Sequence, residues 1–243
     1  NYLFNNDNSL KEIQIHGGSL YRRSTATVFG NLDGLEKVYI GAGVKDLGYH
    51  GFSDCKNLKE VTLEKGSYDE IGMTTFSGCT SLTHIEIPDN IKKLGSWAFS
   101  STGISEINLK QVETLDEGAL SYCKNLTSIK MDNVESIGRG CFIGCDSLKE
   151  IVFPTKLKTL GSDILWNLPS LEKVTITGEE TVFNGSMVNN CKNLKTIELQ
   201  AGTLEGWFDD LDTLKILPGA GEVGNLCGSI KHVFVEGDSQ LKL

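Results

Sequence analysis

The sequence predicts a mostly β solenoid, a stack of short coils that share one continuous core. Two observations carry this. First, ten times along the 243 residues a bulky apolar residue is followed, three and five positions later, by two more. The triplets are Leu10/Ile13/Ile15, Leu35/Val38/Ile40, Leu58/Val61/Leu63, Leu82/Ile85/Ile87, Ile104/Ile107/Leu109, Leu126/Ile129/Met131, Leu148/Ile151/Phe153, Leu171/Val174/Ile176, Leu194/Ile197/Leu199 and Ile230/Val233/Val235. An eleventh, degenerate copy is read near Leu214–Leu217. Second, from Leu35 to Leu194 the triplets recur every 22–24 residues. A unit that short cannot bury an apolar face alone, so a fixed period of this length means stacking against neighbours.

One coil shows the anatomy. In Leu82-x-x-Ile85-x-Ile87 the isoleucines point one way and His84 and Glu86 the other, which is a half-buried strand. β-branched residues suit that strand. Ile91-x-x-Leu94-Gly95 brings the chain back with a second apolar pair, and Ala98-Phe99 plugs the coil. The glycine recurs as Gly48, Gly72, Gly95, Gly138 and Gly161, with Asp116 in the same place once. The expectation is a turn that needs positive φ, which glycine adopts readily. The residue before the plug is small at Thr75, Ala98, Ala119, Cys141 and Ser186, and large at Ile164 and Trp207.

The ends are expected to be less regular. Residues 1–30 read as an irregular first coil, with His16 just after a strand and Arg22-Arg23 in an irregular turn. Phe4 has the plug-to-strand spacing to Leu10, so the chain is expected to begin inside a coil of a longer parent. Residues 31–176 read as regular coils, and 177–243 as degenerate coils plus a closing region. There Val182-Phe183 and Leu204-Glu205 replace the Leu-Gly pair, and the Gly-rich stretch Pro218–Gly228 reads as a loop. All 243 residues form one solenoid of about ten to eleven coils.

Composition narrows the partners. The net charge is −9, from 32 acidic against 23 basic residues, with no Lys/Arg block. Nucleic acid and anionic membrane surfaces are therefore not expected partners. No apolar run reaches the ~20 residues of a membrane span. The seven cysteines fit the repeat: Cys55, Cys79, Cys123, Cys145, Cys191 and Cys227 each precede a strand Leu or Ile by three residues. Asp7, Leu32, Ser101, Leu168 and Leu211 take that place elsewhere. Buried, unpaired structural thiols are expected, because no C-x₂-C pair or matching His pair offers a zinc set.

The columns C-x-x-L-x-x-I-x-[IL]…[IL]-G-x-x-A-F resemble the BspA-like, or Treponema pallidum-type, leucine-rich repeats. The best matches are Cys55–Phe76, Cys79–Phe99, Cys123–Phe142 and Cys145–Leu165. The resemblance implies a leucine-rich-repeat fold of the broad α/β class. In it a right-handed curved solenoid has a concave parallel sheet and turns, short 3-10 or β segments on the convex side. It also implies a secreted or surface-displayed protein associated with adhesion, and it carries no catalytic residues.

No chemistry stands out. His16, His50, His84 and His232 lack a nucleophile or metal partner at motif spacing, and H-E-x-x-H is absent. The pairs Glu179-Glu180 and Asp209-Asp210 read as solvated turns. No catalytic, cofactor or metal residue is assigned, and no enzyme activity is expected. The function read here is a monomeric, adhesin-like, extracellular or cell-surface binding module that recognises a protein or a host or microbial surface ligand through the concave sheet. An intracellular interaction scaffold is the alternative, and a carbohydrate-processing module a lesser one. Strand alternation places Tyr39, Glu60, Thr62, His84, Glu86, Glu106, Asn108, Lys130, Glu150 and Lys173 on the outward side of the concave sheet, and these are the expected ligand-binding residues.

Overall fold

The computed structural model describes residues 7–20 and 29–237, apart from the side chains of Asp209, Asp210 and Asn225. Phe4 and Arg22-Arg23 lie outside the described residues. All strand pairing between successive coils is parallel, because each coil runs the same way round the core. On the first face Glu12–Ser19 pairs with Lys37–Asp46, and that with Glu60–Leu63. Glu106–Asn108 pairs with Ser128–Lys130. Glu150–Phe153, Lys173–Ile176, Thr196–Leu199, Thr203–Ile216 and Glu222–Val235 then stack in that order. On the second face Glu70–Ile71, Lys93–Leu94, Thr114–Leu115, Ser136–Ile137 and Thr159–Leu160 form their own parallel sheet. Leu165–Trp166 and Val188–Asn189 pair on a third side. The only helical piece among the described residues is a 3-10 turn at Gly185–Met187, so the α/β label has no α component here.

The first face is three ladders rather than one continuous sheet. Leu82–Ile87 keeps its alternation, with Ile85 and Ile87 buried and His84 and Glu86 exposed, but forms no strand. Proline explains two of the three interruptions. Glu64, Thr177, Gln200 and Leu217 each follow a strand and donate N–H to the coil before, at 2.8, 3.2, 2.9 and 2.9 Å. Pro88 and Pro154 stand in the equivalent places and have no N–H to give. The ladder breaks on the N-terminal side of both.

The core runs the length of the stack. Of the inward residues that the triplets identify in the central coils, Val61 and Ile129 are only partly buried, as is Leu160 of the second face; all three pack against the core. The plugs stack on one another: Phe29 on Phe52 at 5.5 Å between ring centroids, Phe52 on Phe76 at 5.7 Å, Phe76 on Phe99 at 5.5 Å. The near-parallel rings follow from identical backbone at each repeat.

The recurring glycine is there for a different reason than positive φ. Of the five, only Gly48 is left-handed, at φ 66. A Cβ on Gly72 would stand 2.1 Å from the Gly48 carbonyl oxygen, and one on Gly138 2.5 Å from the Glu117 nitrogen. The column is glycine because each coil lies backbone to backbone on the one before. The left-handed residues fall two places later, at His50, Thr74, Trp97, Gly118, Gly140 and Asp163. A second left-handed column holds Asn31, Asp54, Gly78, Ser101, Tyr122, Gly144, Asn167 and Asn190.

Several positions are re-registered. Ser101 belongs to that left-handed column; buried Thr102 takes the place of the cysteine, its N–H reaching the Phe99 carbonyl as the Cys79 N–H reaches Phe76. Pairing of Leu165 with Val188 aligns Met187, not Ser186, with Ile164. Phe183 aligns with Leu204, so Phe183-Asn184 replaces the Leu-Gly pair rather than Val182-Phe183. Leu214 and Ile216 face Ile197 and Leu199, so the degenerate triplet is Leu211/Leu214/Ile216 and Leu211 is not a cysteine equivalent. His16 lies inside the strand Glu12–Ser19, not after it. The stretch Pro218–Gly228 is strand from Glu222 onward. Its glycines again permit close stacking: a Cβ on Gly221 or Gly228 would stand 2.1 Å from the carbonyl oxygen of Gly202 or Phe208.

All seven cysteines are free. Five are buried; Cys191 is half-buried and Cys227 is exposed, which corrects the expectation for the last two. The structure also shows why a thiol recurs. Cys55, Cys79, Cys123, Cys145 and Cys191 donate S–H to the plug carbonyls of Phe29, Phe52, Phe99, Leu120 and Leu165 at 3.1–3.3 Å. Each thiol thus adds a donor to a carbonyl of the preceding coil's plug, which a methyl group could not. Burial pushes Cys55 and Cys123 up to about 11 and Cys141 to about 12, and holds Cys79 and Cys145 well above the usual thiol range. Thiolate is the reacting form. In the native protein at pH 8 a thiol reagent is therefore expected to modify Cys227 first and Cys191 more slowly. The other five should react only on unfolding, for seven in all; rapid modification of more than two would contradict the packing.

Candidate functional site

The first face carries two outward columns. Pairing sets Lys37 beside Glu60 and Tyr39 beside Thr62, Glu106 beside Ser128 and Asn108 beside Lys130, and Glu150 beside Lys173. Glu60, Thr62, His84, Glu86, Glu106, Asn108, Lys130 and Glu150 are exposed, and Tyr39 and Lys173 are half-buried. All ten expected residues therefore share one face, because every coil repeats the same alternation.

The face is not uniform. Glu12, Gln14, His16, Lys37, Tyr39, Glu60 and Thr62 line a depression of roughly 320 Å³. His84, Glu86, Glu106, Asn108, Ser128 and Lys130 line a second, of roughly 160 Å³. The second lies where the Pro88 position interrupts the ladder. Glu150 and Lys173 lie in neither.

Charges are partly paired. Lys37 Nζ stands 2.8 Å from Glu60, and His84 Nε2 3.0 Å from Glu86. Glu106 and Glu150 make no ion pair among the described residues. Further along, Glu198 is held by Lys173 at 2.8 Å and Lys215 at 3.2 Å. Burial opposes its ionisation, but the two ammonium groups outweigh that and hold its carboxyl below the usual range. The acids of the face without an ion pair among the described residues are therefore Glu12 in the first depression, Glu106 in the second and Glu150 outside both. Sequence spacing placed these acids but did not show which of them have partners.

Tyr39 is fixed rather than free to swing. A hydrogen bond to Glu64 raises its phenol above the usual range. Glu64 also accepts the Ala42 N–H at 3.0 Å, and His16 lies 5.3 Å from the Tyr39 ring. A held aromatic ring loses little entropy on binding. Sequence reading missed His16 as its neighbour because it ended the first strand too early.

The remaining histidines do not converge. His50 is left-handed and touches Thr74, and His232 lies at the far end opposite Thr213. The Asp209-Asp210 side chains lie outside what is described. Among the described residues no group of three or more His, Cys, Asp or Glu could hold a metal ion. Among the described residues no helix is long and apolar enough to cross a membrane.

Comparison with known families decides the assignment. The BspA type leucine rich repeat region matches residues 1–127 and 113–206, in six copies. The chain belongs to this family. Its BspA-type repeats account for the columns described above. Comparison with curated proteins finds no match. Among solved structures, a leucine-rich repeat protein from Bacteroides ovatus is 18% identical over 92% of this chain and 82% of its own, with TM-score 0.48. A leucine rich cell surface protein from Faecalibacterium prausnitzii is 15% identical over 99% and 90%, with TM-score 0.35. The T. pallidum leucine rich repeat protein is 18% identical over 90% and 78%, with TM-score 0.41.

Proposed function

We propose that this BspA-type chain is a non-catalytic binding module, secreted or displayed at the cell surface, that recognises a protein or a host or microbial surface ligand through its first face. One observation carries the reading. Within each of the three ladders the outward columns stand in register, and the Leu82–Ile87 coil between two of them keeps the same alternation, so the face presents many side chains at repeating spacing. Such a surface needs little ordering when a partner arrives. Tyr39 is its aromatic anchor, and the Glu86–Glu106 depression favours a basic or polar protein partner. Proteins captured from host-matrix or microbial-surface extracts on the immobilised chain, identified by mass spectrometry and lost on mutation of this face, test it. Absence of any specific partner from either extract, with the chain folded, would count against it.

The seven free thiols favour a second reading, an intracellular interaction scaffold in a reducing compartment. Capture of cytosolic rather than surface partners by the same experiment would support that one instead.

A further inference from the structure

A second kind of cleft is found away from the first face. It lies at the edge of the stack and encloses roughly 750 Å³, within the range of small-ligand sites.

Its origin is a shortened coil. Val174 and Ile197 are in register 23 residues apart, but Ile197 and Leu214 only 17 apart. The chain saves length by omitting the plug turn. Thr203–Ile216 instead runs as one 14-residue strand. The plug of the coil before, Val188, is therefore only partly covered. A hydrogen-bond ladder shows the same break. Asp54, Gly78, Ser101, Tyr122, Gly144 and Asn167 each donate N–H to the next coil, at 2.6–3.1 Å. The next member is Asn190, whose N–H has no acceptor among the described residues.

The lining has a definite chemistry. Trp207 stands at the cleft with 62% of its surface exposed. Asn190 gives its amide nitrogen to Asn167 at 2.7 Å, which leaves its amide oxygen and backbone N–H for a ligand. Asn189 is exposed, and Lys192 makes no ion pair among the described residues. Asn184 is held by Glu205 at 3.0 Å and by the Ser186 N–H at 2.9 Å, so it shapes the wall. Amides offer donors and acceptors side by side, as sugar hydroxyls require. The negative face of an indole ring accommodates the C–H face of a pyranose. An added peptide strand fits less well. The Val188 N–H already bonds to Gly185, so Asn190 alone is left to start a ladder.

We propose that this cleft is a carbohydrate-binding site, taking one pyranose of a neutral oligosaccharide on Trp207 with its hydroxyls on Asn189 and Asn190. The site is separate from the first face and does not depend on the reading given to it.

The protein has three tryptophans. A Trp97→Phe, Trp166→Phe double variant therefore reports on Trp207 alone by fluorescence. Screening the intact chain on an array of neutral and acidic oligosaccharides, then titrating the best neutral binder into that variant, is the test. Saturable change in Trp207 emission is expected. Trp207→Ala should weaken binding at least about tenfold, and Asn190→Gly, which keeps the left-handed backbone, should weaken it several-fold. Reversal of Glu86 and Glu106 should leave it unchanged. Melting temperatures close to that of the parent chain show that the variants fold. No bound oligosaccharide at millimolar concentration, binding unaffected by Trp207→Ala, or selection of extended peptides at this cleft instead would overturn the proposal.

Discussion

Phe142→Ala is expected to destabilise the protein by about 3–5 kcal/mol, as large-to-small changes do in rigid cores. Phe142 is fully buried in the plug column. Its backbone is held by the Cys145 N–H on its carbonyl, at 3.2 Å. The neighbours in that column, Leu120 and Leu165, are fixed by their own coils and cannot sink into the gap. Because coils fold only against neighbours, the loss is felt along the stack. Chemical denaturation read by circular dichroism checks it. A loss below about 1 kcal/mol would mean that the plug is not packed as described.

Gly138→Ala is expected to cost about 3 kcal/mol, the upper end of overpacking effects, because the collision is with backbone that cannot rotate away. The added Cβ would stand 2.5 Å from the Glu117 nitrogen and 2.6 Å from the Asp116 carbonyl carbon. Gly138→Asn separates this account from a positive-φ turn. Asparagine tolerates left-handed backbone, so it would be mild if φ were the reason, and should be as harmful as alanine if contact is. Gly140, two places on with φ 61, gives the opposite pattern: Gly140→Asn should be milder than Gly140→Ala. Thermal melting of the four variants decides the matter.

The fold was legible wherever a residue type repeats in phase. The Leu-x-x-Ile-x-Ile triplets placed the strands, and alternation placed Glu60, His84 and Glu106 on one face. What could not be read depends on the coil next door. The purpose of Gly72, Gly95, Gly138 and Gly161 is a contact with the preceding backbone, which no spacing reveals. Pro88 and Pro154 were visible, but their effect appears only when their position is matched to donors such as Glu64. Register failed where coils change length, at Ser101, Ser186 and Leu211, because counting from the nearest leucine assumes a constant plug. The cleft beside Trp207 is that same change of length seen from outside. Pairing of Glu60 with Lys37, and of Tyr39 with Glu64, needs side-chain geometry that a single sequence does not hold.

The central claim is that the first face, not the turns, meets the partner. The direct measurement is surface plasmon resonance of the captured partner against two charge-reversal variants. One changes Glu60, Glu86 and Glu106 to Lys. The other changes Glu117 and Glu180, exposed residues on turns outside that face. The first should weaken binding at least about tenfold and slow association, as loss of charge complementarity does. The second should bind like the parent chain. Binding that survives the first set and fails with the second would place the partner on the other face and contradict the account.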